Sequence, residues 1–325
     1  MKKLLTLILA AAISLSVFTG CDSKKKADGI LEIGIVQPQD HPSLNTIRES
    51  FLAEMKALGY VDGENMKVDY QNSQGDSSTL NTICQKFATD KKDLIVAIAT
   101  PAAVTAAAAT SDIPVLFSAV TDPVAAKLVA DMDKPGKNVT GTSDYVAVDK
   151  ILDMALELKP NIKKLGLLYN TGEANSVACM DTAKAYAKSK NIEVVEAAAT
   201  NTGEVQQAVQ SLVTKVDAIF TPTDNTVATA MPIVTELTRK AKIPFFVGAD
   251  SMVKDGGFAT KGIEYTELGK ETAKMADRIY KGEKPADIPV KVFSEPNIYF
   301  NQTTADAIGI QIPDNLKGDK TEIFK

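Results

Sequence analysis

Hydroxyl and carboxylate residues recur in this chain directly after short apolar runs, an arrangement that puts polar side chains at one edge of a parallel sheet. Residues Asp93 to Pro123 read DLIVAIATPAAVTAAAATSDIPVLFSAVTDP. Two apolar runs there close on turns that carry Thr100 with Pro101, and Ser118 with Ala119, Val120 and Thr121. The grammar returns between Val216 and Ser251, where VDAIFTPTDN and IPFFVGADS close on Asp224 with Asn225 and on Asp250 with Ser251. In open α/β sheets ligands bind beyond the carboxyl ends of the strands, where helix N-termini offer unpaired N–H groups to anions. The first set therefore supplies hydrogen-bond donors and the second supplies carboxylates. Asn170, Glu173, Asn175 and Ser176 follow a further apolar run, GLLY, and Gln37 holds the matching place after GIV. Helix capping is the competing duty for Ser118, Thr121, Asp224 and Ser251, and Glu173 also fits the dipole at a helix start. The doubled placement at strand ends favours a site.

Catalytic chemistry finds no such support. The chain has no HExxH, GxSxG, P-loop or GxGxxG pattern and no cluster with metal-ligand spacing. No catalytic residue, metal or cofactor is expected. His41, the single histidine, stands on a Pro-flanked loop and reads as an exposed or rim residue rather than a general base. Cys84 and Cys179 fall in separate helix-like segments and read as buried free thiols.

The elements that must position these residues follow from the same patterns. Apolar runs bounded by turn residues read as buried parallel strands, and the Ala-rich piece between two of them as a crossover helix. The echo of GIVQP by GLLYN, of DLIVAIATP by VDAIFTP and of IPVLFSA by IPFFVGA keeps similar offsets, which predicts two similarly wound α/β lobes. Strands are expected at Leu31 to Gln37, Met66 to Gln71, Leu165 to Tyr169 and Glu193 to Ala198. Helices are expected at Leu44 to Leu58, capped by Ser43 or Asn45, at Ser78 to Thr89, Val148 to Leu158, Asn175 to Lys190, Glu204 to Thr214, and Tyr265 to Lys281. Val139 to Tyr145 reads as the first passage between lobes, Gly256 to Gly262 as a last short strand with the second passage, and Ile288 to Phe300 as the return.

At 325 residues the chain has room for two domains, and its 45% hydrophobic and 24% charged content is that of an ordinary globular protein. The net charge is −5; removing the first 20 residues takes away Lys2 and Lys3 and leaves 34 basic against 41 acidic, a net −7. This balance argues against nucleic acid as a partner. Met-Lys-Lys, an apolar stretch from Leu4 to Phe18 and Thr19-Gly20-Cys21 read as a signal peptide over 1–20, too short to span a membrane. Val-Phe-Thr-Gly-Cys resembles the lipobox of bacterial lipoproteins, with Phe18 where Leu is usual. That resemblance implies lipidation of Cys21 and a tether over 21–30, the alternative being an ordinary secretory signal.

Taken together, IGIVQ with HPSL, GYVDGENMKVDYQNSQGD, DLIVAIATPAA, IPVLFSAVTDPV, LLYNTGEANSV, VDAIFTPTDN and KGEKPADIPV resemble the ABC-transporter substrate-binding lipoproteins of the tryptophan/tyrosine-binding (TrpX-like) group. The likeness spans residue 30 to the C-terminus. It implies an α/β type I periplasmic-binding-protein fold, the Venus-flytrap architecture, with two Rossmann-like lobes joined by a hinge of three crossings. On that basis the N-terminal lobe takes 31–145 plus about 265–285, and the C-terminal lobe 146–264 plus about 286–325. The resemblance further implies a monomeric extracytoplasmic receptor, anchored at the cell surface by lipid, that captures tyrosine, phenylalanine or tryptophan and passes it to an ABC permease. A surface adhesion or signalling receptor on the same fold, or a binder of another small polar ligand, is the alternative. An enzyme is the reading least supported.

A captured amino acid is a zwitterion, and an unpaired buried charge costs several kcal/mol. Thr100, Ser118, Ala119 and Thr121, with nearby helix N–H groups, can meet the carboxylate. Asp224 and Asp250, beside Asn225 and Ser251, can meet the ammonium, with Gln37, Asn170, Glu173, Asn175 and Ser176 as further contacts. Pro38, Pro101, Val120 and Tyr145 can wall the ring, whereas Phe117, Phe220 and Phe246 sit inside strand patterns and belong to the core.

Overall fold

The computed structural model describes residues 29–293 and 296–325; the leader, the lipobox and Cys21 lie outside them. Chain order begins with β1 (Leu31–Gln37), α1 (Pro42–Ala57), β2 (Met66–Asn72), α2 (Ser77–Thr89), β3 (Leu94–Ile98), α3 (Thr100–Ala109), β4 (Val115–Ser118) and β5 (Val139–Ser143). The chain crosses at 144–147 into α4 (Val148–Leu158), β6 (Lys164–Tyr169), α5 (Ala174–Ser189), β7 (Glu193–Ala198), α6 (Thr202–Leu212) and β8 (Ala218–Phe220). The second lobe continues through α7 (Asn225–Thr229), α8 (Met231–Ala241), β9 (Phe245–Phe246), α9 (Asp250–Lys254) and β10 (Ala259–Gly262). It crosses back at 263–264 into α10 (Tyr265–Tyr280) and β11 (Lys291–Val292), and a third crossing leads to β12 (Asn297–Asn301), α11 (Gln302–Ile308) and β13 (Thr321–Phe324).

The strands form two sheets, one per lobe, ordered β11-β5-β4-β3-β1-β2 and β13-β12-β10-β9-β8-β6-β7. Every pairing is parallel except β10 with β12. Strands covered by helices on both faces need apolar residues throughout, and all of Leu94–Ile98 is buried. Between β3 and β4, α3 can approach closely because Ala102, Ala103 and Ala106 present only methyl groups and are fully buried. Phe117, Phe220 and Phe246 are fully buried core residues, each contributing about 1.5–3 kcal/mol of apolar burial. Both Cys84 and Cys179 are buried and unpaired.

Two boundaries differ from the sequence expectation. Val139–Ser143 is a buried strand of the first sheet, not a passage; its Thr140 Oγ1 donates to Ile288 O at 2.7 Å. The segment after α10 also stays with the first lobe as far as β11, where Lys291 pairs with Thr142. A two-residue strand with exposed side chains carries no periodicity from which to read it. At α1 the N-cap is His41 rather than Ser43 or Asn45, because Pro42 takes the first helical turn, where its missing N–H costs nothing.

Candidate ligand-binding site

The carboxyl ends of both sheets face one another across the cleft, and side chains bridge it. Thr229 Oγ1 donates to Gln39 Oε1 at 2.7 Å and Gln39 Nε2 to Thr226 Oγ1 at 3.3 Å. Ser43 and Ser251 hydroxyls share a hydrogen bond, Thr121 Oγ1 meets Thr223 Oγ1 at 3.4 Å, and His41 Nε2 lies 3.1 Å from Asn225 Oδ1. The lobes are thus in contact, with an inner chamber enclosed between them. In this closed arrangement about 20 Å³ of free space is left in it, room for one water, so an amino acid is accommodated only with the lobes parted farther than they are here.

From the first lobe, Ala99 and Ala119 end β3 and β4 with φ of 74° and 58°. An alanine held at positive φ stores backbone strain, which clusters at ligand sites. Both alanines line the chamber, as do Thr100 and Thr121. Thr100 opens the ten-residue α3, whose first N–H groups have no partner within the helix.

From the second lobe, Asp224 caps α7, accepting from Val227 N at 2.9 Å, Asn170 N at 2.6 Å and Ser176 Oγ at 2.7 Å. Glu173 lies against the same helix start. Its Oε2 accepts from Asn225 N at 3.2 Å and Asn225 Nδ2 at 2.5 Å, and its Oε1 from Thr226 N at 3.2 Å and Thr226 Oγ1 at 3.1 Å. Burial, then the neighbouring Asp224, pushes the Glu173 carboxyl up from 4.5 to about 8. Asp224 itself is raised by burial.

At the first crossing Asp144 accepts from Thr121 Oγ1 at 3.0 Å and from Tyr265 OH at 2.9 Å. Burial raises it from 3.8 to about 6 against those hydrogen bonds. His41 is lowered from 6.5 to about 4 by burial. Among the described residues, three buried polar atoms without a protein partner belong to residues of this chamber: His41 Nδ1, Thr100 Oγ1 and Asn175 Oδ1.

An outer, more polar chamber of about 350 Å³ opens beside it and shares Asn225; Pro38, Pro101, Asn170 and Glu173 line it. Among the described residues, neither chamber is lined by Lys or Arg, so an anionic group here would be met by dipoles and hydroxyls.

The candidates named from sequence separate accordingly. Thr100, Ala119, Thr121, Asn175, Asp224 and Asn225 line the inner chamber, and Pro101, Asn170 and Glu173 the outer one. Gln37 and Ser176 are fully buried behind it; Gln37 Nε2 donates to Gln39 O at 2.7 Å and Asn45 Oδ1 at 2.9 Å. Ser118 sits in a buried hydroxyl chain with Thr142 and Thr272, and Val120 belongs to the first lobe's core. Tyr145 is 57% exposed and lines neither chamber. Asp250 starts α9 outside both linings, raised by burial to about 6 with Oδ1 unpartnered.

His41 is the clearest reversal. It is 6% exposed because lobe closure, not its local sequence, covers it. Asp144, Tyr265, Leu44 and Met252, which the sequence did not mark as site residues, also line the chamber, as does Ser43, expected only as a helix cap. Asp144 had a usable signal: with Val139–Ser143 taken as a strand, it obeys the same strand-end rule as Thr100 and Asp224.

Comparison with known proteins accords with this geometry. The family model for ABC transporter substrate binding protein matches residues 32–323. This chain is an ABC transporter substrate-binding protein. The substrate-binding protein is 42% identical over 334 aligned positions to the tyrosine-binding protein of Clostridioides difficile strain R20291, covering 99% of this chain and 97% of that one. It superposes on the ABC domain in complex with L-Trp from Streptococcus pneumonia with TM-score 0.85 and 38% identity, over 90% of this chain and 99% of the other. For the ligand-free, open structure of a Clostridium difficile substrate-binding protein with adhesive properties the TM-score is 0.68 at 43% identity, over 91% and 99%. The lobe arrangement of this substrate-binding protein is therefore nearer to that of the L-Trp complex than to the open form, although the open form is the closer in sequence.

Proposed function

We propose that this substrate-binding protein is an extracytoplasmic lipoprotein receptor that closes over an aromatic amino acid and presents it to an ABC permease. The observation that carries the reading is the two-sided chamber, in which an unpartnered hydroxyl from one lobe, Thr100 Oγ1, and an unpartnered amide oxygen from the other, Asn175 Oδ1, are buried together. A zwitterion supplies the acceptor and the donor those atoms lack. Its carboxylate goes to Thr100 and the α3 N-terminus. Its ammonium goes to Asn175 and Asp144, since Asp224 is engaged by its own lobe whereas each Asp144 oxygen retains lone pairs. The related tyrosine-binding protein and the L-Trp complex support an aromatic side chain. Cys21, lipidated, anchors the receptor through the tether.

Calorimetric titration with all twenty amino acids tests the reading. Tyrosine, phenylalanine or tryptophan should bind with micromolar or tighter dissociation constants, about −8 kcal/mol or better. The chain contains no Trp, so bound tryptophan would contribute the only indole fluorescence. Binding of sugars or nucleosides alone would reject the ligand class. Adhesion is the second reading, favoured by the property stated for the Clostridium difficile relative; it requires a macromolecular partner bound independently of the cleft.

A further inference from the structure

The inner chamber holds one ring nitrogen without a partner, and the network behind it dictates which partner it needs. Asn225 sends both its backbone N–H and its side-chain amide to Glu173 Oε2, at 3.2 and 2.5 Å. That orients the amide nitrogen toward Glu173 and turns Oδ1 toward the first lobe, 3.1 Å from His41 Nε2. A carbonyl oxygen only accepts, so Nε2 carries the proton and Nδ1 of the neutral ring is a bare acceptor. This Nδ1 is buried with no partner. An occupant that offers no donor there forfeits affinity.

Leu44 on α1, Ala228 on α7 and Met252 on α9 give the chamber that His41 lines an apolar part. The groups suited to an amino-acid head, Thr100, Thr121 and Asp144, come instead from strand ends and the crossing. We propose that His41 reads the ligand's side chain, its Nδ1 accepting a hydrogen bond from a donor on the ring, so that tyrosine and tryptophan are selected over phenylalanine. The inference rests on the aromatic-amino-acid reading above and deepens it.

The same contact makes binding respond to pH. Burial holds His41 at about 4 in the closed form, against an ordinary 6.5 when exposed. Acidification through 6.5 therefore charges His41 in the open form and opposes closure. Asp40 on its own loop, Glu173 and Asp224 behind Asn225, and Asp144 and Tyr265 across the chamber are the titratable groups around it. Glu173 and Asp144, raised to about 8 and about 6, act with the opposite sign, since their protonation favours the buried state. Comparison with a His41 variant isolates the histidine.

The experiment is calorimetry with tyrosine, tryptophan and phenylalanine on the full-length protein and on His41→Leu, at pH 7.5 and 5.5. The wild type should bind tyrosine and tryptophan at least about tenfold more tightly than phenylalanine. In His41→Leu that gap should close to within about twofold, through losses for tyrosine and tryptophan only. The ratio of wild-type to variant affinity for tyrosine should fall about tenfold from pH 7.5 to 5.5. His41 makes no side-chain capping bond to α1, which favours folding of the variant, and the three-ligand comparison on the wild type needs no variant. Equal wild-type affinities for the three ligands, an undiminished preference in His41→Leu, or a ratio flat with pH would overturn the proposal. Failure of every aromatic amino acid to bind would instead strike the functional reading first and carry this inference down with it.

Discussion

Glu173 shows how a residue can shape a candidate site through the groups it orients. Its carboxyl joins the start of α7 and so holds Asn225 against the opposite lobe. Removing it in Glu173→Ala leaves buried N–H groups without acceptors, an expected loss of about 2–3 kcal/mol in urea denaturation. Its raised value works against it at high pH. Between 4.5 and about 8 the unfolded chain has lost the Glu173 proton while the folded chain keeps it, so the contribution of Glu173 to stability is full below 4.5 and is lost as pH rises through 8. Glu173→Gln keeps one acceptor oxygen and cannot titrate, so it should flatten that decline. Denaturation midpoints at pH 6.5 and 8 check this above the window in which His41 opposes, and an undiminished slope would place its origin elsewhere.

Elements hold these residues in place through contacts that tolerate little change. After the second crossing α10 packs on α1 at Gly269, where an added Cβ would lie 2.0 Å from Ser50 Oγ and 2.4 Å from Ile47 O. Replacing a helical glycine by alanine ordinarily stabilises by about 0.5–1 kcal/mol, yet overpacking costs about 1–3 kcal/mol. Because one obstacle is backbone, the clash should win. Gly269→Ala is expected to lower stability by about 1–2 kcal/mol and also to weaken ligand binding, since Tyr265 at the head of α10 reaches Asp144. Chemical denaturation and titration on the same variant test both halves, and a more stable variant would refute the packing argument.

At the scale of the whole molecule, the proposed closure over a ligand would be biased by the bonds that exist only when the lobes meet. Gln39 makes two of them, to Thr226 and Thr229. Gln39→Ala should cost the closed form about 1 kcal/mol, hence raise the dissociation constant about fivefold. Small-angle scattering should report a larger radius of gyration for the ligand-free variant, with saturating ligand restoring the wild-type value. An unchanged radius and affinity would mean that these bonds do not bias closure.

Much of this protein is written locally. The hydrophobic runs that end on Thr100, Thr121 and Asp224 specify buried parallel strands and leave polar residues at their carboxyl edge, because strand burial and turn chemistry depend on neighbours a few residues apart. Repetition of those runs supplies the second lobe. What the sequence leaves open is everything that depends on one lobe meeting the other. His41 lies 184 positions from Asn225 and Asp144 121 from Tyr265, and no periodicity encodes contacts at such separations. Only the closed tertiary structure buries His41 against Asn225 and brings Asp144 to Tyr265 in the chamber, because the desolvation that sets their chemistry exists only where the two surfaces come together.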